Sequence, residues 1–308
     1  MSLLDWIDID KIDLYNLSLN PKSVKYLEKN PNKIIWDALS LNINAIHLLE
    51  KNLDKIDWNN LSLNPNAIKI LEKNQDKINW LYLSMNYNAI DLIKKNQDKI
   101  NWSSISYNKN AMYFLENNKY YSVIDWDLLS LNPNAINLLR QNLDKIDWLW
   151  LSENPNAIEL LNKNKNKIDW RFLSLNPNAI DLLKENKNKI NWNLLSENPN
   201  AIQLLNDNQD KINWEKLSLN PNAIQLLSDN QDKINWDNLS LNPNAIQLLK
   251  DNQDKICWEY FSENPSIFKL DYEKIKKNFE PLSDEILEKA LHPDRIEKNI
   301  KLYNYFDW

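Results

Sequence analysis

Apolar residues return along this chain in a fixed order every 22 positions. Trp36, Trp58, Trp80 and Trp102 are spaced by one period, as are Trp126, Trp148, Trp170, Trp192, Trp214, Trp236 and Trp258, and only the step from Trp102 to Trp126 is 24. Leu14 takes the Trp place one period before Trp36. Residues 239–260 give a clear copy: Leu-Ser-Leu-Asn-Pro-Asn-Ala-Ile-Gln-Leu-Leu-Lys-Asp-Asn-Gln-Asp-Lys-Ile-Cys-Trp-Glu-Tyr. Twelve units can be started, at Leu17, Leu39, Leu61, Leu83, Ile105, Leu129, Leu151, Leu173, Leu195, Leu217, Leu239 and Phe261. Ser at the second place and Asn at the fourth recur in all twelve.

Each unit reads as two short helices. Ala245, Ile246, Leu248 and Leu249 share one helical face through their i, i+3 and i+4 spacing. Asn242 is placed to cap that helix, with Pro243 at its first turn. Its end falls at Asn252, and Asn30, Asn52, Asn74, Asn142, Asn164, Asn186, Asn208 and Asn230 stand at the same place. Asn is the non-glycine residue that best tolerates the left-handed conformation at a helix end, so these positions are expected to adopt it. The second element starts at an Asp or Asn cap, as in residues 232–240. Its apolar places, Ile234, Trp236 and Leu239, suit one or two turns, partly 3₁₀; an extended Lys-Ile-Asn-Trp segment is the alternative.

Neither helix is long enough to persist alone in water. Stacking neighbours buries the shared apolar stripe, so the expected fold class is all-α: an α-solenoid of about twelve helix–short helix units, with the indoles in its core. At about 8–10 Å per stacked helix, a rod or superhelix on the order of 100 Å long follows. Its ends need covers. Residues 1–16 are assigned as an N-terminal cap, residues 17–264 as the repeat array with an irregular unit at 105–128, and residues 265–308 as a helical C-terminal cap.

Composition then removes whole classes of function. The chain of 308 residues has no glycine, which excludes the phosphate-cradling loops of Rossmann enzymes, P-loop NTPases and kinases. It has 53 Asn, about one residue in six, and 14 Trp. A formal charge of −6 offers no basic footprint for a phosphate backbone. Cys257 is the single cysteine, so no intramolecular disulfide can form. With no apolar run approaching 18 residues and no signal-like N-terminus, the chain is expected to be a soluble intracellular protein.

The run Leu-Ser-x-Asn-Pro-Asn-Ala-Ile-x-Leu-Leu followed by Asp-Lys-Ile-x-Trp, over roughly residues 11–264, resembles the short tandem repeats of uncharacterised proteins in giant DNA viruses of amoebae, the mimivirus-like group. The stretch from Ala290 to Ile296, Ala-Leu-His-Pro-Asp-Arg-Ile, resembles a C-terminal motif of such proteins. Asn-Pro-Asn before an apolar helix is more distantly similar to the leucine-rich variant repeat, a solenoid of one α-helix and one 3₁₀-helix per unit. The resemblance implies a solenoid and a viral setting, in host cytoplasm or virion. It implies no activity and no functional residues.

The chemistry-bearing residues do not form a set. His47, His292 and Cys257 lie far apart in sequence, and the carboxylates Asp54, Asp76, Asp98, Asp144, Asp210, Asp232 and Asp254 form a column beside a Lys column that reads as helix caps. No enzyme, cofactor, metal or small-molecule substrate is therefore expected. Asparagine columns suggest ladders of amide hydrogen bonds between units. In a solenoid the places that vary mark exposed surface. The two residues after each Trp vary freely, with Leu81, Tyr82, Leu149, Trp150, Arg171 and Phe172 as candidate partner-binding residues; filling of gaps between units is the alternative for them. The fifth unit departs further, with Tyr107, Lys109, Met112, Tyr113 and Phe114 at unusual places, and Tyr107 and Tyr113 join the candidate set. The expected function is a protein-interaction scaffold acting on a host or virion protein. The alternative is nucleic-acid reading, one unit per base, which the acidic balance disfavours; no membrane partner is expected.

Overall fold

The structure, a computed structural model, describes residues 2–117, 121–270 and 276–277. The chain divides into a large unit, residues 5–267, and a small one made of residues 1–4 and the segment from 268 onward. In the small unit, Ser2–Leu3 and Phe268–Lys269 pair antiparallel, with Ser2 opposite Lys269. The proposed C-terminal cap lies almost entirely outside the described residues, as do His292 and the Ala290–Ile296 motif.

The large unit is an all-α solenoid of stacked repeats, as expected. A typical repeat holds a helix led by Ile, such as Ile158–Lys163, then one 3₁₀ turn, Lys165–Lys167, then a helix opened by Trp, such as Trp170–Leu173. The second element is thus both 3₁₀ and α. Between its parts Ile168 and Asp169 are extended but belong to no strand. The cap is the residue before Trp: Asp57 accepts from the Asn60 N–H at 2.8 Å, and Asn79, Asp125, Asp147 and Asn235 act likewise. The Asp of the Asp-Lys pair is not a cap; Asp76 and Asp232 sit inside their 3₁₀ turns. Nor does the Asn of Asn-Pro-Asn cap the helix that follows. Asn242 ends the preceding Trp helix, and the Ile helix begins after Ala245 with no side-chain cap.

Three columns join the units. At the fourth place, Asn42 donates through Nδ2 to the Ser18 and Asn20 carbonyls of the unit before, at 2.9 and 2.8 Å, while its Oδ1 accepts from the Asn44 N–H at 3.0 Å. That fully buried amide uses both donors and one acceptor, which is why Asn cannot be exchanged there without orphaning backbone groups. At the sixth place, Asn44 Nδ2 reaches the Pro21 carbonyl at 2.8 Å. At the second, Ser40 Oγ donates to the Trp36 carbonyl of the unit before and accepts from the N–H of Asp57, the residue before the next Trp.

The fourth- and second-place columns do not stop at the array's ends, whereas the sixth-place column does, with Lys22 and Ser266 standing in place of its Asn. Asn20 Nδ2 donates to the carbonyls of Ser262 and Asn264 at 3.2 and 2.9 Å, and the Asp13 N–H donates to Ser262 Oγ at 2.8 Å. These are the bonds of every other junction. The helix Leu14–Leu19 packs against Trp258–Glu263 on one side and Trp36–Leu41 on the other. The large unit is therefore a closed ring of twelve Trp-place helices rather than an open rod. Residues 5–16 are part of it: Asp8–Asp13 and Leu14 supply the Asp-Lys-Ile-x-Trp part of the unit whose first residues are Phe261–Asn264, and Trp6 stacks on Phe261 with centroids 5.7 Å apart. Closure arises because successive repeats meet in one geometry, and twelve equal rotations of about 30° complete a turn. From Leu14–Leu19 round to Trp170–Leu173, and again from Trp236–Leu241 through Trp258–Glu263 to Leu14–Leu19, the Trp-place helices pack on their neighbours, while no two Ile helices approach comparably. In a closed ring the column with the shorter step is the inner one.

Two further expectations are corrected. The repeat-place tryptophans are half-buried rather than core. The fully buried positions are the Leu after each Trp pair of variable residues, the Ala, and the second Leu of the Ile helix, such as Leu151, Ala157 and Leu161. The open face of ten of the repeat-place indoles carries a Lys from the next unit, 4.5 to 5.2 Å from the ring centre, including Lys11 over Trp258 across the closing junction. Secondly, among the described residues no backbone has positive φ. Asn74, Asn142, Asn164 and Asn252, at the ends of their Ile helices, have φ between −130° and −133°. Their side chains end the helices instead: each Nδ2 turns back to the carbonyl four residues earlier, as Asn74 does to Ile70 at 2.8 Å. Glycine is dispensable because no turn needs a left-handed residue.

Candidate interaction surface

On a Trp helix the buried direction is set by the Leu and Ser at the fourth and fifth positions, so the second, third and sixth face away from the core. In Trp148–Glu153 these are Leu149, Trp150 and Glu153. Since this helix column is the inner one, those three places line the wall of the ring. At about 8–10 Å per helix the circumference through the helix axes is on the order of 100 Å, and a helix radius of about 5 Å leaves an opening on the order of 20 Å. A partner helix of about 10–12 Å diameter fits against such a wall.

The candidate residues fall in three places. Leu81, 47% exposed, and Tyr82, half-buried, sit on the inner wall of the helix Trp80–Met85. Leu149 and Trp150, and Arg171 and Phe172, sit on the inner wall of two adjacent helices three steps further round. These four are brought together: Trp150 and Phe172 meet edge to face at 5.5 Å, and the Arg171 guanidinium lies 5.8 Å from the Phe172 ring centre. Both readings of this pair apply, since the rings bridge neighbouring helices and each still keeps accessible surface.

Tyr107 and Tyr113 lie apart from these. Tyr107 holds the sixth position of the helix Trp102–Tyr107, at the border of the inner wall with the turns, where Met85, Tyr87, Asn108, Lys109, Leu131 and Pro133 line with it a concavity of about 390 Å³, and Lys109 Nζ lies 4.4 Å from the Tyr87 ring centre. Tyr87 and Lys109 replace the Pro of Asn-Pro-Asn in consecutive units, a signal that singled out Lys109 but passed over Tyr87. Tyr113 is 67% exposed on an Ile helix, in the outer column, under Lys94 Nζ at 4.9 Å. The eight candidates therefore do not form one patch.

Electrostatics separate two carboxylates on the inner wall. Burial pushes the Asp169 carboxyl up, but hydrogen bonds from Arg171 Nη2 and from the N–H groups of Phe172 and Arg171, with the Arg171 charge, outweigh it and hold it below the usual range. Arg171 is held charged in return. Glu153 is the opposite case: burial raises its pKa, and the like charge of Glu197 raises it further. Asp127 is raised too, by burial and then by Asp147 and Asp125. Glu153 was not among the sequence candidates, although Glu at the third place of a unit is itself a departure from the usual Leu.

His47 pairs with Glu28 on exposed surface, Cys257 is half-buried at a helix start, and among the described residues no three His, Cys, Asp or Glu side chains converge. None of the described helices is long and apolar enough to cross a membrane. The chain matches no family model, no curated protein and no solved structure, so geometry alone carries the functional reading.

Proposed function

We propose that this protein is a non-enzymatic interaction scaffold, a ring that holds a protein partner against its inner wall, in the viral and host-cell setting that the repeat resemblance implies. One observation carries the reading: the frame repeats the same fourth-place Asn and second-place Ser hydrogen bonds in all twelve units, while the inner-wall places vary from Asp and Asn to the apolar and aromatic Leu149, Trp150 and Phe172. Residues that hold the stack are constant; these are released from that constraint, and Trp and Arg are the usual anchors of interfaces.

The test is affinity capture with quantitative mass spectrometry, comparing wild type with Leu149→Asp and with the outer-wall control Tyr113→Ala. A protein retained by wild type and the control but lost with Leu149→Asp supports the reading. Identical capture by all three, or recovery of RNA in place of protein, overturns it.

A further inference from the structure

Two neighbouring places on the inner wall are read together in this ring: the sixth position of one Trp helix and the third position of the next. At one junction they hold Glu197 and Lys216, whose Oε1 and Nζ are 2.8 Å apart, with both side chains about one-third exposed. Two junctions earlier the same places hold Glu153 and Phe172. The lysine that neutralises the carboxylate at one site is replaced by an aromatic ring at the other. Glu153 has no ion pair among the described residues, sits three residues from Trp150 on the same helix face, and has the Trp150–Phe172 pair beside it.

We infer that Glu153, Trp150 and Phe172 form a receptor for a cationic side chain of the partner, an arginine or lysine flanked by apolar residues. The carboxylate supplies the countercharge, and the two rings supply faces to which a guanidinium or ammonium is drawn. The Glu197–Lys216 contact shows within the same ring that a cation fits this register. The nearest cation on the wall, Arg171, is engaged by Asp169 at 3.1 Å. Besides Arg171 and Lys216, which Asp169 and Glu197 engage, the charged residues on the wall are acidic, with Asp37, Asp127, Glu215, Asp237 and Glu259 exposed in the place after their Trp, so a basic segment is favoured over an acidic one. The raised Glu153 carboxyl accords with an acid that lacks its countercharge.

This inference rests on the inner wall being the binding surface and specifies what it binds. Its test uses the full chain and a fluorescein-labelled peptide of alternating leucine and arginine, with norleucine-for-arginine and glutamate-for-arginine peptides as comparators, read by fluorescence anisotropy. Glu153→Gln is expected to weaken arginine-peptide binding about tenfold, close to 1.4 kcal/mol. Phe172→Lys, which rebuilds the Glu197–Lys216 arrangement, is expected to do the same while leaving the fold intact. Asp237→Asn, elsewhere on the wall, is expected to change binding less than twofold. Equal losses from Glu153→Gln and Asp237→Asn overturn the receptor in favour of diffuse charge attraction. Equal binding of the norleucine peptide overturns it in favour of a purely apolar surface. If those results occur while Leu149→Asp still abolishes capture of a partner, the inner wall stands and the cation chemistry falls; if Leu149→Asp is also silent, both fall.

Discussion

The closing junction and an interior one, between the Trp148 and Trp170 helices, are built alike although only the second is continuous in sequence. Asp13 N–H to Ser262 Oγ is 2.8 Å, and Asp169 N–H to Ser152 Oγ is 3.0 Å. Asn20 spans to two carbonyls at 3.2 and 2.9 Å, and Asn176 at 3.0 and 2.8 Å. Lys11 covers Trp258 at 5.2 Å, and Lys167 covers Trp148 at 4.7 Å. What differs is the sixth-place bond and the outer column: Asn178 reaches the Pro155 carbonyl at 2.9 Å where the closing junction has Lys22, and between Trp148 and Trp170 lies the full helix Ile158–Lys163, whereas after Trp258–Glu263 the described part of the large unit forms only the 3₁₀ turn Pro265–Ile267. Nearest-neighbour contacts of the inner column therefore suffice to join repeats, whether or not the chain runs through them.

The largest effect that would break this equivalence is removal of residues 1–16. Their loss takes away Lys11, Ile12, Asp13 and Leu14 from the closing junction, and the expected outcome is an opened ring with a larger radius of gyration by small-angle scattering. An unchanged scattering profile would mean that the junction does not hold the ring shut. Next in size, Asn20→Ala and Asn176→Ala each orphan buried carbonyls and are expected to cost about 2–4 kcal/mol in urea denaturation followed by circular dichroism. Near-equal costs sharpen the comparison, and a negligible cost at Asn20 alone would refute it.

A pH series separates the two carboxylates of the interior junction. Asp169 is depressed in the fold, so its contribution is complete above the ordinary value of 3.8 and is lost as pH falls through the lower folded value. Glu153 is raised, so it opposes folding above its folded value and that penalty is relieved as pH falls through it from above. Asp169→Asn is expected to lower stability at pH 7 and Glu153→Gln to raise it slightly, with both differences shrinking at acid pH in thermal melts. A Glu153→Gln variant less stable at neutral pH than wild type would contradict the sign. The smallest effects are expected for Lys11→Ala and Lys167→Ala, about 0.5–1 kcal/mol each from the loss of a lysine over an exposed indole face.

Much of the ring was legible in the residues. The spacing of Trp gave the unit, the Ala-Ile-x-Leu-Leu face gave the helix, and the constant Ser and Asn gave the ladders between units. The misreadings concern groups with more than one possible partner. Asn242 suits the helix after it as well as the one before, and Asn252 can end a helix by a left-handed backbone or by folding its amide back; sequence lists the donors without choosing their acceptors. Trp has the area for a core, yet its periodic place faces a lysine of the next unit. Glu153 escaped notice because its meaning lies in what stands across the junction, Phe172 where Lys216 stands for Glu197.

The sequence by itself determined the repeat, its helices and the amides that pair one unit with the next, because those are set by local spacing and hydrogen-bonding capacity. Only the tertiary structure decided that the stack is a ring, which column forms its inner wall and which side chains meet there. Closure is a sum over twelve junctions, and a small rotation at each one, fixed by the closer packing of the Trp helices than of the Ile helices, has no signature in any single unit.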